Sequence, residues 1–346
     1  MVKEIGSEFW KKENIIDSNT IEGSEKTDIA CLLSGRTALD FIIRDIKESH
    51  PFSKAMLPSY CCDSMIEPFI KNDIKPVFYS VDDKGIKYNS DNDCEVVLTI
   101  DYFGYENRNT KEIIKREKLS NKIIIYDSTH KINGNAVAES MSDYSFCSCR
   151  KWCYCNFAIA KKFTGKFNID KPTKSNKRYL EIRNNASELK KQYMENQIID
   201  KEYLLYLFKE AENILKHDYC GYRGEYQSID INNIVTKRRR NATFLIEKLK
   251  TITRVKLLND SLNENDSPLF VPIIVEKEYR DALQKYLIEK DIYCPIHWPV
   301  TNIHFLGNNE KKLFDKTLSL VCDQRYDLED MSREIQAINC FFEEFG

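Results

Sequence analysis

Two residues of this chain are spaced for a particular chemistry. Lys151 lies in Ser148-Cys149-Arg150-Lys151-Trp152, and upstream Asp127 closes the apolar run Ile123-Ile124-Ile125-Tyr126. A strand ending in an acid, then a polar turn bearing a lysine, fits a pocket for pyridoxal phosphate (PLP). The amine holds the aldehyde as a Schiff base, and the acid keeps the pyridine nitrogen protonated so that the ring accepts electrons. Arg150, next in line to Lys151, adds a second cation that favours the neutral, nucleophilic amine. His130, three residues past Asp127, is placed to meet the cofactor's phenolic oxygen. Plainer readings exist for each: an exposed lysine, an N-capping Asp-Ser-Thr, a histidine at a turn.

A phosphate needs N–H and hydroxyl donors, and the ring needs a packing partner. Ile29 to Leu33 reads as a strand running into Ser34-Gly35, and Ala38, Leu39, Ile42, Ile43 and Ile46 recur at helical spacing. Such a turn presents free N–H groups at a helix N-terminus. Ser34, Gly35, Arg36, Thr37 and Ser148 are therefore the candidate phosphate residues, and Tyr60 and Cys62 are candidates for the ring face.

These residues need a scaffold that brings them together. Ala55 to Pro58, Lys75 to Val81, Glu95 to Ile100 and Lys122 to Tyr126 read as short apolar strands, separated by helices over Met65 to Lys71 and Thr110 to Leu119. That alternation predicts an α/β fold with a mostly parallel sheet covered on both faces. Ligands gather at the carboxyl ends of such strands, and Ser34, Tyr60, Asp101 and Asp127 all follow strand ends. Residues 175–220 read as long surface helices, and Tyr219 to Gln227 as a linker. Beyond it, helices over Asn232 to Lys250, Lys277 to Lys290 and Glu329 to Phe345 and strands over Pro268 to Val275 and Ile292 to Ile296 predict a small α+β unit. The expected division is 1–225, a large domain with a polar N-terminal arm over the first 28 residues, and 226–346.

Composition narrows the classes. The chain has 346 residues, 42% hydrophobic and 31% charged, with a net charge of −2. That balance gives no global field to recruit nucleic acid or an anionic membrane. No apolar run is long enough to span a bilayer, and Met1 to Trp10 carries no secretory signal, so a cytoplasmic protein is expected. The basic run Lys237-Arg238-Arg239-Arg240 reads as a solvated helix face, with a phosphate or nucleotide contact as the sharper alternative. Of 12 cysteines, four cluster at Cys147, Cys149, Cys153 and Cys155. Their C-x-C-x3-C-x-C spacing is not that of a zinc ribbon, so small packing residues and no metal site are expected.

Taken in order, Gly6-Ser7-Glu8-Phe9-Trp10, Ser34-Gly35-Arg36-Thr37-Ala38-Leu39, Pro58-Ser59-Tyr60-Cys61, Asp127-Ser128-Thr129-His130, Ser148-Cys149-Arg150-Lys151-Trp152 and His297-Trp298-Pro299 resemble the DegT-type (DegT/DnrJ/StrS) aminotransferases of PLP fold type I. The resemblance implies Lys151 as the lysine that holds PLP, Asp127 as pyridinium partner and His130 near the phenolic oxygen. Gly35, Arg36 and Ser148 would lie at the phosphate. It further implies a homodimer with shared sites, and ping-pong transfer of an amino group from glutamate to a keto sugar or sugar-like ketone, nucleotide-linked in the family. His297, Trp298 and Arg325 are candidates to meet the substrate. Three positions depart from the family: Cys62 where an aromatic residue is common, Asn156-Phe157 where Gly-Gly is common, and Arg36 where a small hydroxyl residue is common. The alternatives are other PLP chemistry, such as a racemase or dehydratase, and a non-catalytic PLP-binding regulatory descendant. Retention of Lys151 argues against the dehydratase branch, which has a histidine there.

Overall fold

The computed structural model describes residues 4–11, 26–82, 85–304 and 306–345. Much of the expected polar arm, 12–25, lies outside the described residues. The chain opens with β1 (Ile5–Gly6), β2 (Asp28–Leu32), α1 (Gly35–Ser49), β3 (Lys54–Pro58), α2 (Asp63–Lys71), β4 (Lys75–Asp82) and β5 (Gly85–Lys87). There follow β6 (Val96–Ile100), α3 (Arg108–Leu119), β7 (Ile123–Asp127), α4 (Ala136–Met141), β8 (Tyr144–Ser148) and β9 (Ala158–Lys162). Strands β2 to β9 form one eight-stranded sheet in the order β2-β9-β8-β7-β6-β3-β4-β5. Strands β8, β7, β6, β3 and β4 are parallel, whereas β9 opposes both neighbours and β5 opposes β4.

Alternation along the central strands sorts residues onto two covered faces. Ala55, Leu57, Val96, Leu98 and Ile125 pack against Ile42, Ile43 and Ile46 of α1 and against α2. Met56, Val97, Ile124 and Tyr126 face the other way, onto Ile113 and Ile114 of α3. Sheet burial on both sides explains why these strands are apolar throughout rather than alternating with polar residues.

The second half contains α5 (Lys177–Met194), α6 (Lys201–His217), α7 (Ile231–Leu249), β10 (Lys256–Leu257), β11 (Val271–Ile274), α8 (Lys277–Glu289), β12 (Ile292–Tyr293), α9 (Asn308–Lys316), β13 (Thr317–Leu320) and α10 (Leu328–Phe345). An antiparallel β10-β11-β13 sheet packs with α7, α8 and α10 around Leu245, Val271, Leu283, Leu318 and Ile338. Ile5 belongs to that same core, because β1 pairs in parallel with β12.

Two expectations need correction. The 219–227 segment is not a free linker, because Leu33 N–H donates to Tyr222 O (3.2 Å), Gly224 N–H to Cys31 O (3.2 Å) and Glu225 N–H to Asn156 O (3.2 Å). Edge strand β2 has unpaired backbone groups, and this segment satisfies them. Nor are α5 and α6 only surface helices: Arg183 and Lys190 on α5 are buried, each against an acid of the N-terminal arm.

Gly104 fastens the loop after β6 to the segment that leads into β11. It has φ +88°, and a Cβ there would sit 1.8 Å from Ser267 O. Ser267 N–H donates to Gly104 O (2.9 Å) and Leu269 N–H to Phe103 O (2.8 Å). Gly104→Ala is expected to lower unfolding free energy by roughly 2–4 kcal/mol, through left-handed backbone strain plus the collision. Urea denaturation checks this, and an unchanged midpoint would count against the packing described.

A buried acid gives a second expected result. Glu334 of α10 is fully buried, and its Oε1 accepts from Cys294 Sγ (2.9 Å) and Val321 N (3.2 Å). Burial pushes its pKa up to about 7, with the Cys294 hydrogen bond opposing. Between the ordinary carboxyl value and 7 the unfolded chain loses this proton while the folded protein keeps it, so Glu334 increasingly destabilises the fold as pH rises across that window. Glu334→Gln should therefore gain on wild type from pH 4.5 to pH 7, by on the order of 3 kcal/mol, as read from denaturation midpoints. Parallel stability curves for the two proteins would refute this.

Candidate active site

The carboxyl edge of the parallel sheet, the N-terminal arm and residues between Arg238 and Arg325 line a cavity of about 740 Å³. Lys151, Asp127, His130, Ser34, Gly35, Arg36, Cys62, Ser148, His297, Trp298 and Arg325 all line it. Residues far apart in sequence thus converge on one space because β7 and β8 end side by side and β2, one strand away across β9, ends on the same edge.

Asp127 closes β7 and is 3% exposed. No helix follows it. Its carboxylate instead accepts from Thr129 N–H (2.8 Å), which makes a turn rather than the alternative N-cap. Burial raises its pKa to about 6, with the Thr129 hydrogen bonds acting against that rise. Among the described residues no cation pairs with it, so a cationic ring nitrogen in the cavity would complete it.

His130 is positioned by the backbone of the neighbouring loop. Its Nδ1 accepts from Phe103 N–H (3.0 Å), which leaves the proton on Nε2 of the neutral ring. Burial lowers its pKa to about 3, and the Lys151 charge adds to this. The ring stacks on Trp298, with centroids 5.5 Å apart and planes at 26°. His297 Nδ1 lies 2.8 Å from Ser319 Oγ, and burial, His130 and Lys151 together hold the ring neutral.

Lys151 ends the short 3-10 turn Cys149–Lys151 and opens onto the cavity. Enclosure by protein lowers its pKa, and Arg150 reinforces the shift, while Glu212, Glu8 and Cys62 act the other way. Arg150 turns aside into a bidentate pair with Glu212. Burial alone would push the Glu212 carboxyl up, but Arg150 and then Arg183 hold it down at about 2. Arg183 in turn binds Glu8 of the arm at 2.8 Å. Sequence reasoning missed the roles of Glu212 and Arg183. Both look like ordinary helix-surface charges; the packing of α5 on α6 buries Arg183, whereas Glu212 stays half-exposed and is marked out only by its pair with Arg150.

At the opposite end, Ser34 caps α1, its Oγ accepting from Thr37 N–H (3.2 Å). A Cβ on Gly35 would meet Ser148 Cβ at 3.0 Å, so glycine keeps this cradle open. Thr37 does not reach the cavity: its Oγ1 is directed to Tyr219 O (2.7 Å) and Ser34 Oγ (2.9 Å). Arg36 reaches the wall, but its Nε pairs with Glu67 (3.1 Å), so its charge is met within the protein rather than kept for a phosphate. Tyr60 is likewise corrected. It is fully buried behind the wall, tilted against Trp298 (5.0 Å) and Phe314 (4.8 Å), and supports the site without facing it. Cys62 does face it, with Sγ 2.8 Å from Ser64 Oγ and its thiol pushed up by burial.

Arg325 is occupied. It pairs with Asp323 (2.7 Å), donates to Ser7 O and Glu8 O (both 3.1 Å) and lies 4.0 Å from the Phe9 ring centroid. It holds the arm against the cavity. Of the basic run, Lys237 and Arg240 are exposed as a solvated face, but Arg238 is 1% exposed and lines the cavity. Cys149 and Cys155 are buried with Phe157, and Cys31, Cys147 and Cys153 pack against them as small apolar groups. Among the described residues no helix is long and apolar enough to cross a membrane.

The architecture matches solved proteins. PseC of Helicobacter pylori, an aminotransferase involved in the biosynthesis of pseudoaminic acid, superposes with a TM-score of 0.67 over 99% of this chain and 100% of its own, at 13% identity. The chain has the fold of an aminotransferase. NtdA of Bacillus subtilis, solved with bound cofactor PMP, matches this aminotransferase fold with a TM-score of 0.61 over 91% of this chain and 73% of its own, at 14% identity. The sugar aminotransferase CalS13 of Micromonospora echinospora shares it at 0.59, over 90% and 87%, with 10% identity. No family model and no curated protein matches the sequence.

Proposed function

We propose that the protein is a PLP-dependent aminotransferase that moves an amino group from glutamate to a keto sugar or sugar-like ketone, by a ping-pong mechanism. The observation that carries this is the meeting of Lys151 and Asp127 on one cavity at the carboxyl edge of an aminotransferase fold. The residues present fit the cofactor. Asp127 is a buried acid in want of a cation, and Gly35 keeps open a space that a side chain would fill. Ser34, the α1 N-terminus and Ser148 are the donors for the phosphate. The sugar aminotransferase CalS13, PseC's part in pseudoaminic acid biosynthesis and the PMP bound to NtdA support the same reading.

Each group then has a task. The cofactor supplies an aldehyde for amines and a ring that accepts electrons. Lys151 would hold the cofactor through Nζ, its lowered pKa favouring the neutral amine, and that amine would carry the proton taken from the donor's α-carbon to the cofactor. Asp127 keeps the ring nitrogen protonated. His130 offers Nε2–H, fixed by the Phe103 backbone, to the phenolic oxygen. The Trp298 indole braces that imidazole. A nucleotide-linked acceptor, a homodimer with shared sites and a cytoplasmic location complete the proposal, and equilibrium sedimentation reads the dimer directly. The test is incubation with PLP and borohydride, followed by peptide mapping. One label per chain, on Lys151, is expected, and a protein still colourless in excess PLP sinks the reading.

A further inference from the structure

Four arginines on the cavity wall lie beside acids: Arg36 with Glu67, Arg150 with Glu212, Arg183 with Glu8 and Arg325 with Asp323. Arg238 of α7 differs. Its Nε donates to Gln324 Oε1 (2.8 Å) and its Nη1 to Leu269 O (2.8 Å) and Pro268 O (3.4 Å), all neutral acceptors. Asp323, the acid whose charge it feels most, is already engaged by Arg325. Among the described residues Arg238 has no ion-pair partner, and Nη2 has no acceptor. A cation 1% exposed and without a counter-ion is costly, unless an anion arrives from the cavity that it lines.

Its place indicates which anion. The guanidinium lies 4.5 Å from the ring centroid of Trp152, the residue after Lys151. The indole is itself fixed by its hydrogen bond to Thr129 O (2.7 Å). An amino acid that delivers its nitrogen beside Lys151 carries its α-carboxylate one carbon away from that nitrogen. We infer that Arg238 binds the α-carboxylate of the amino donor and so selects α-amino acids; this rests on the aminotransferase reading above. A phosphate of a nucleotide-linked acceptor offers the same anionic chemistry from another source, and the experiment separates the two.

Arg238→Gln and Arg238→Lys are compared with wild type, each loaded with PLP and each as purified. Calorimetry is run with glutarate, an unreactive dicarboxylate, and with UDP. Glutamate and 4-aminobutyrate, which is glutamate without its α-carboxylate, are followed by loss of cofactor colour. Arg238→Gln should weaken glutarate roughly tenfold to a hundredfold and leave UDP unchanged. The glutamate reaction should suffer likewise, whereas 4-aminobutyrate should react at the same slow rate with both proteins. Arg238→Lys, which keeps the cation and its aliphatic stem, should retain part of the glutarate affinity, and it decides the matter if the glutamine variant does not fold. Unchanged glutarate binding, or a loss confined to UDP, overturns the inference while leaving the aminotransferase reading intact. A wild type that takes up no PLP ends both.

Discussion

Lys151→Ala should bind PLP without the absorbance of a lysine-linked aldehyde, and borohydride should fix nothing at that position. Amino transfer should fall by at least about 10²–10⁴-fold, the range lost with a positioned proton carrier. The fold should survive, because this side chain opens onto the cavity rather than into the core. Added methylamine should restore part of the rate, since a free amine can stand in for Nζ. A variant that keeps wild-type colour and rate would show that another amine does the work. Arg150 would then be left without its explanation as the cation that keeps its neighbour neutral.

The second large effect belongs to Asp127. Its carboxyl, raised by burial to about 6, must be ionised to hold a protonated ring. Below pH 6 the empty site carries a proton that cofactor binding must expel, so PLP affinity should fall by about tenfold per pH unit there and level off above. Asp127→Asn should remove that dependence and weaken PLP roughly tenfold to a hundredfold at pH 7.5, through loss of one charge-assisted bond. The cofactor's own phosphate also titrates, but equally in both proteins, so the difference between the two binding curves isolates Asp127. Superimposable curves from pH 5 to 8 would place the ring nitrogen elsewhere.

Much of this was legible before any coordinates. The strands β2, β3, β4, β6 and β7 announce themselves because burial on both faces demands continuous apolar runs, and helices α1 to α3 because each has one apolar stripe. Lys151, Asp127, His130, Gly35 and Ser148 could be picked out because each follows a strand or opens a turn, where a parallel sheet collects its ligands. Tyr60, Thr37 and Arg36 went astray for a different reason. Periodicity reports which element a residue sits on, not which way a side chain at a strand end turns. A hydroxyl such as Thr37 Oγ1 goes to the nearest orphan carbonyl, here Tyr219 O. The charged groups Glu8, Arg183 and Glu212 were invisible for a related reason. Arg183 is buried but the two acids stay half-exposed, and a mutually neutralising set looks like solvated surface until three separate segments are brought together. Arg238 falls between the two cases, since its run suggested basic surface and the packing of α7 buried one member.

The backbone N–H of Gly6 finds its acceptor on Tyr326, 320 positions later, and Ile5 completes a core otherwise built from the last third of the molecule. During synthesis, then, the Ile5–Gly6 segment must wait through 320 further positions for its mate. Contacts of such span slow folding, and a nascent chain would expose that segment over the whole interval. A stop codon shortly before Tyr326 would leave Gly6 without that acceptor and the arm held through its ion pairs to α5 and its pairing with β12.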